Sequence, residues 1–120
     1  KAANDEDFVT QIEWTSTTRE LGTIEEGQKL EVIYEFKNTG KKPLVIKSVQ
    51  ASCGCTVPER PDAPIMPGKT GVIKAVFDSQ GRPGNNHKSI SVMANTDPSP
   101  SHVLEFNVDV KAKPEAKTGA

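Results

Sequence analysis

Lys29-Leu30-Glu31-Val32-Ile33-Tyr34-Glu35-Phe36 is the segment with the clearest periodicity in this sequence. Every second residue of the segment is apolar, and the residues between them are mostly charged. A period of two places successive side chains on opposite faces of a β-strand. The segment therefore predicts a strand with one face on a hydrophobic core and the other face in water.

Six further segments carry strand-like patterns on either side of this one. They are residues 12–14, 21–24, 44–50, 72–78, 88–94 and 103–110. The last segment alternates cleanly between apolar and polar positions, and residues 44–50 are rich in β-branched side chains. Turn residues separate the segments, among them Gly27 and the run Asn38-Thr39-Gly40. We place Trp14 in the core, with a ligand-stacking surface role as the alternative.

Prolines at positions 58, 61, 64 and 67 crowd the middle of the chain. Because proline cannot donate to a sheet ladder, residues 58–68 predict an ordered loop that crosses between two sheets. About seven strands without any helical period indicate an all-β fold, an immunoglobulin-like Greek-key β-sandwich. We expect a flexible N-terminal segment at residues 1–7, the sandwich at residues 8–111 and a flexible C-terminal tail at residues 112–120.

The composition argues against several classes of function. A length of 120 residues suits a single domain, and the net charge of -1 arises from interspersed charges of both signs. This balance argues against a nucleic-acid binder with a basic stripe and against a polybasic membrane anchor. No stretch approaches the roughly 18 apolar residues of a membrane span, and no signal peptide is visible. Because the sequence starts at Lys1, we expect a trimmed mature form.

Cys53 and Cys55 are the only two cysteines of the chain, and Gly54 alone separates them. Four interpretations are open: core packing of both thiols, a local disulfide, ligation of a soft metal ion, or a redox or nucleophilic thiol. Residues two apart on a strand share a face, which would allow both thiols to enter the core. A disulfide would require the backbone to bend, and Gly54 is the residue that would permit the bend.

Partners for chemistry at the cysteines are scarce in the sequence. His87 and His102 are the only imidazoles, and we expect both in or beside polar loops. No base or orienting group is apparent near the thiols, and the glycine-containing segment 81–84 lacks the lysine of a phosphate-binding loop. We therefore predict no catalytic residue, no cofactor and no bound metal, with Cys53 and Cys55 as the candidates for any metal ligation.

Five short segments, taken in order, resemble the DUF1573 family, whose function is uncharacterised. They are Gly22-Thr23-Ile24, Phe36-Lys37-Asn38-Thr39-Gly40, Pro43-Leu44-Val45-Ile46, Ser52-Cys53-Gly54-Cys55-Thr56 and Ile65-Met66-Pro67-Gly68. The resemblance covers about residues 14–110. It implies an immunoglobulin-like sandwich related to the modules of Hydin and the major sperm protein. It also implies an exported protein of Bacteroidetes-type bacteria, and hence a periplasmic or cell-surface location.

These observations favour a non-catalytic module that binds or positions other proteins in the cell envelope. The predicted contact surface consists of the loops around Cys53, residues 58–68 and residues 80–86. An open sheet edge would offer a second mode of binding, by addition of a partner's strand. The partner is an unidentified protein rather than a nucleic acid. The alternative is copper or zinc handling, or thiol redox chemistry, through Cys53 and Cys55.

Overall fold

The computed structural model describes residues 9–113, and it folds them into eight β-strands. The strands are β1 (Ile12–Trp14), β2 (Thr18–Glu25), β3 (Lys29–Asn38), β4 (Ile46–Ala51), β5 (Thr56–Glu59), β6 (Thr70–Asp78), β7 (Gly84–Ala94) and β8 (Ser101–Lys111). The predicted N-terminal segment, residues 1–7, lies outside the described residues, as do residues 114–120 of the predicted tail.

The strands form two four-stranded sheets. The first sheet has the order β1-β3-β6-β5 and the second has the order β2-β8-β7-β4. All neighbours are antiparallel except β2 and β8, which run parallel. Apart from β2, the two orders are those of an immunoglobulin constant-type sandwich, in which four strands face three. The prediction of an all-β immunoglobulin-like sandwich is confirmed. The consecutive strands β1 and β2 are edge strands of opposite sheets.

The predicted count of seven strands is wrong, because β5 is an additional strand. It pairs with β6 from Thr56 to Glu59, and Pro58 lies opposite Ala75. Because β5 is at the edge of its sheet, the missing N–H of Pro58 faces away from the ladder and removes no hydrogen bond. The proline-rich loop therefore begins only after Glu59. Strand β7 also begins earlier than predicted, at Gly84, because its first residues pair with the end of β8.

The inner faces of both sheets supply one continuous core. Alternate residues of β3 and β6 are fully buried, as the period of two predicts, and β7 and β8 behave in the same way. Phe77 of the first sheet meets Phe106 of the second edge-on, with ring centroids 5.5 Å apart. Trp14, predicted in the core, packs against it from the margin: it is half-buried, with its ring centroid 5.3 Å from that of Phe36.

A buried amide joins the end of β3 to three neighbouring segments. The Oδ1 atom of Asn38 accepts hydrogen bonds from the Thr10 hydroxyl at 2.8 Å and the Gly40 N–H at 3.0 Å. Its Nδ2 atom donates to the carbonyls of Lys42 and Ile65, both at 2.8 Å. The side chain is completely buried, so every polar atom of the amide requires a protein partner. This network fixes the loop after β3 and the segment that leads back to β6.

Candidate functional site

The Ser-Cys-Gly-Cys-Thr motif connects β4 of the second sheet to β5 of the first. At its start, the N–H of Ser52 donates to the carbonyl of Ser89 at 2.9 Å, which ties the motif to β7. At its end, the N–H of Asp78 donates to the carbonyl of Cys55 at 2.8 Å, which ties it to β6. The motif is therefore a short connection that is hydrogen-bonded to both sheets, to β7 at its start and to β6 at its end.

Cys53 and Cys55 form a disulfide, with their Cα atoms 5.3 Å apart. Cys55 is buried at 7% exposure and belongs to the core, while Cys53 packs against the core from its margin. The structure therefore has the local disulfide, and the interpretation of two thiols packed in the core is wrong, because neither cysteine is free and only Cys55 is buried. The expectation that Gly54 permits the bend is wrong, since its φ lies outside the left-handed region and an added Cβ would contact nothing within 4 Å.

Metal and thiol chemistry require groups that the structure does not bring to these sulfurs. Sulfurs bonded to each other offer no thiolate, which is the form that ligates metals and attacks substrates. The polar atom recorded beside them is the Thr56 hydroxyl, 4.0 Å from Cys53 Sγ and 3.7 Å from Cys55 Sγ. Among residues 9–113, no group of three or more histidine, cysteine, aspartate or glutamate side chains could hold a metal ion.

The two histidines lie on strands, which corrects the expectation that they occupy loops. His87 is on β7, where Nδ1 is 2.7 Å from Asn107 Oδ1 on the outer face of the second sheet. His102 is on β8 and is half-buried: its Nδ1 accepts from Trp14 Nε1 at 3.3 Å, and its Nε2 lies 2.8 Å from the Thr96 hydroxyl. Burial lowers the pKa of His102. The Trp14 donor likewise favours the neutral ring, so His102 serves as a structural link.

The outer face of the first sheet exposes an unusual share of apolar side chains. Ile33, Val57 and Val72 are 42%, 58% and 44% exposed, and half-buried Val76 lies directly opposite Val57. We call these four residues the outer apolar face. Lys74 crosses it and forms an ion pair with Glu31 at 3.1 Å. Sequence analysis did not single out these positions, although valines four residues apart on the solvent side of β6 were a usable signal.

Two arginines cap backbone carbonyls at sheet edges. The Nη1 atom of Arg19 donates to the carbonyl of Ile33 at 2.6 Å, where β1 has ended and β3 has no neighbour on that side. The Nη1 atom of Arg60 donates to the carbonyl of Ile46 on edge strand β4 at 3.0 Å. Charged caps of this kind discourage unintended strand pairing.

The structure separates the three predicted contact loops. The cysteine motif and residues 80–83 follow strands that end at the same end of the sandwich, next to Asp78. Residues 60–68 instead extend to the opposite end, where Ile65 exchanges backbone hydrogen bonds with Leu44. Two of the three loops adjoin the outer apolar face: the cysteine motif directly precedes Val57, and residues 60–68 approach Val72. The described residues include no helical segment that would traverse a membrane.

A sequence model of one protein family matches most of the chain. The family is described as "Protein of unknown function (DUF1573)", and the match extends over residues 12–110. No protein with a curated description matches the sequence at a significant level. The family comparison therefore agrees with the resemblance and adds no activity to it.

Solved structures share the sandwich at low sequence identity. A protein of unknown function from Porphyromonas gingivalis W83 aligns with a TM-score of 0.73 at 18% identity, covering 84% of this chain and 47% of that one. The VesB protease of Vibrio cholerae aligns at 0.68 and 10% identity, covering 82% and 32%. PapD-like domain 7 of human CEP192 aligns at 0.59 and 14% identity, covering 94% and 90%. Identities this low show the fold alone.

The coverage of these structures differs in an informative way. The chain spans about half the length of the Porphyromonas protein and about a third of the Vibrio protease. It covers nearly all of the CEP192 chain, which is a single domain. The matched unit is therefore one sandwich domain, which forms only part of the Porphyromonas and Vibrio chains.

Proposed function

The chain belongs to the DUF1573 family of proteins of unknown function, and from its own surface we propose that it is a non-catalytic, protein-binding module of an exported protein. The observation that carries the proposal is the outer apolar face. Ile33, Val57 and Val72 keep between 42% and 58% of their surface in water on the outer face of one sheet, where Val57 lies opposite Val76, Ile33 opposite Lys74 and Val72 opposite Glu35. Neighbouring apolar side chains that remain in water, such as Val57 and Val76, are typical of interaction sites.

The proposed export rests on the disulfide. Disulfides persist in oxidising compartments such as the periplasm and the cell surface, and they are rare where glutathione and thioredoxin keep thiols reduced. The Cys53–Cys55 bond therefore favours a location outside the cytoplasm, in agreement with the family resemblance.

Site-specific photo-crosslinking tests the binding proposal. A photoreactive phenylalanine analogue replaces Val57, and a matched variant carries it at Ser91, an exposed position on the outer face of the second sheet. After irradiation with an envelope extract of the source organism, we expect discrete protein adducts from position 57 and none from position 91. The same adducts from both positions, or no adduct from position 57, would refute the proposal.

Thiol labelling in cells tests the proposed compartment separately. A maleimide of high mass, added to acid-quenched cells, should modify neither Cys53 nor Cys55 until a reductant is supplied. Labelling without reductant would show free thiols and remove this argument for export. Free thiols that copper(I) then protects from labelling would instead support the metal-handling alternative.

A further inference from the structure

Most exposed strand edges of this sandwich carry a feature that discourages pairing. Edge strand β5 is four residues long and contains Pro58. Edge strand β4 has the Arg60 cap and a register shift, and the open half of β3 has the Arg19 cap. Edge strand β2 has a bulge between Glu20 and Thr23. Short strands, prolines, bulges and charged side chains are the means by which natural sheets avoid edge-to-edge association.

The start of β6 is a stretch of edge that lacks any such feature among the described residues, as is the part of β7 before Ser89, which β4 does not reach. The N–H of Asn38 donates to the carbonyl of Lys69, and the N–H of Asp78 donates to the carbonyl of Cys55. Because backbone groups alternate sides along an antiparallel strand, the N–H and C=O groups of even-numbered β6 residues point towards β5. Strand β5 ends opposite Lys74, so the corresponding groups of Thr70 and Val72 lie beyond it.

No residue of the described part of the chain, 9–113, completes this edge. Val57 pairs with Val76 and Glu59 pairs with Lys74, so the next residue in register with Val72 would be Pro61. Proline has no N–H to donate to the Val72 carbonyl, and after Glu59 the backbone leaves the sheet. Among residues 9–113, no hydrogen bond is recorded for the backbone groups of Val72 outside the ladder with β3.

A groove of about 440 Å³ runs along this unpaired edge. Pro61, Ile65 and Val72 supply its apolar lining, and Val72 also belongs to the outer apolar face. Arg60 stands at the end of the groove next to β5, and no described carboxylate lies within ion-pair distance of its guanidinium. Glu59 and Lys74 line the groove at the same end as Arg60, so the groove combines backbone donors and acceptors, apolar walls and one excess positive charge beside β5.

We propose that the Thr70–Val72 edge accepts an extended segment of another protein as an added strand that continues β5, antiparallel to β6. The segment carries an acidic residue at its N-terminal end beside Arg60 and an apolar residue beside Val72. The inference rests on the proposed protein-binding function and names the surface that performs it. Main-chain hydrogen bonds supply affinity in this mode of recognition, and the flanking side chains supply specificity.

Hydrogen exchange with a defined probe tests the pairing. The probe is an acetylated and amidated peptide, Glu-Val-Thr-Val-Thr, added at millimolar concentration to the isotopically labelled full chain. We expect amide exchange at Thr70 and Val72 to slow at least tenfold, because strand addition sequesters these N–H groups. Exchange at Lys29 and Glu31, on the open half of β3, should change less than twofold.

Two modified peptides separate backbone pairing from other contacts. The same peptide with methyl groups on alternate backbone nitrogens keeps its side chains but cannot form the ladder, so protection should be lost. A peptide that begins with lysine in place of glutamate should bind at least threefold more weakly, because it meets Arg60 with like charge. Equal protection by all three peptides would overturn the proposal.

Proline variants locate the site on the protein. Val72→Pro removes an N–H that points to the open edge and leaves the ladder with β3 intact, so it should abolish protection at Thr70. The matched control is Ile33→Pro, since Ile33 has similar exposure and its N–H faces the other open edge; it should bind the peptide normally. If Val72→Pro does not fold, Val72→Lys replaces it, because an edge lysine also discourages pairing.

The outcomes distinguish this inference from the proposed function. Peptide protection at the β3 edge, or no protection at either edge, would overturn the Thr70–Val72 assignment. Protection without any peptide, together with a dimer mass in solution, would identify a second copy as the occupant and also overturn it. In each case crosslinks from position 57 would still support protein binding, whereas their absence would remove the proposed function itself.

Discussion

Replacing Asn38 with alanine removes the side chain that holds the end of β3 to three other segments. The wild-type amide makes four hydrogen bonds, with the Thr10 hydroxyl, the Gly40 N–H and the carbonyls of Lys42 and Ile65. Alanine leaves these four groups without their partner in a site from which water is excluded, because Asn38 has no exposed surface. The variant therefore tests whether this network stabilises the fold.

The size of the effect follows from the number and burial of the bonds. A typical intramolecular hydrogen bond contributes about 1 kcal/mol net, and a buried group left unsatisfied costs about 1–3 kcal/mol. The carbonyl of Lys42 lies on an exposed residue and regains water, and the carbonyl of Ile65 still accepts from the N–H of Leu44 at 2.9 Å, so the Gly40 N–H and the buried Thr10 hydroxyl lose their partner. The remaining loss predicts that Asn38→Ala lowers the free energy of unfolding by about 3 kcal/mol.

Urea unfolding, followed by tryptophan fluorescence at Trp14, measures this change. The dependence of the free energy on urea should keep its slope, because the alanine variant buries almost the same surface. Asn85→Ala is the control, since Asn85 is exposed and its side chain makes one recorded hydrogen bond, to Asp109 at 2.8 Å. It should change stability by less than about 0.5 kcal/mol. A loss below about 1 kcal/mol for Asn38→Ala, with an unchanged slope, would refute the reasoning.

Three further perturbations have defined expectations. Tyr34→Phe should lower the free energy of unfolding in urea by about 1–2 kcal/mol, because the Tyr34 hydroxyl donates to the Glu105 carbonyl at 2.6 Å. Burial also raises the pKa of Tyr34 to about 12, so alkaline titration by absorbance should find this residue un-ionised at pH 11. Burial lowers the pKa of His102 below its usual value. As the pH falls, the unfolded chain therefore protonates this histidine at a higher pH than the folded chain does, and stability should decrease below about pH 6.5. His102→Gln should flatten this dependence in urea titrations at successive pH values. Serine at both Cys53 and Cys55 should lower stability by only about 1.5 kcal/mol, because the disulfide closes a three-residue loop; a loss of more than about twice that value in thermal unfolding would contradict this account.

The strands with strict alternation could be predicted from the sequence because their burial is a local property of the chain. In β3 the predicted inward residues Val32, Tyr34 and Phe36 are each 1% exposed. The same argument places Leu104 and Phe106 of β8 in the core. A period of two records which face meets the core, so such positions need no knowledge of the partner strand.

Contacts between distant residues could not be predicted in this way. Trp14 and His102 are 88 positions apart, and they meet only because β1, at the edge of the first sheet, lies close to the start of β8 in the second sheet. Asn38 looked like an ordinary turn residue, yet its amide is buried because segments 27 and 28 positions away close over it. The register of the strands decides these contacts, and a single sequence does not contain that register in any local pattern.

The cysteine pair shows an intermediate case. The sequence correctly included the local disulfide among its interpretations, but the argument from a shared strand face does not apply, because both cysteines lie between β4 and β5. It could not decide whether the sulfurs were bonded, since an extended strand holds residues two apart near or beyond the Cα separation that a disulfide tolerates. The structure resolves this by ending β4 at Ala51, so that Cys53 and Cys55 lie in a tight turn with their Cα atoms 5.3 Å apart.

The prolines after the motif explain both why β5 was missed and why an edge of β6 stays open. Pro58 broke the strand pattern in the sequence, although an edge position accommodates it. Pro61 stands where β5 would have to reach Val72, and it cannot supply the N–H that would close that edge. A partner strand with an ordinary residue at this position can supply the missing donor. Restoring an N–H by Pro61→Thr should therefore leave the fold intact and, if the loop then pairs with β6, weaken binding of an added strand at Val72.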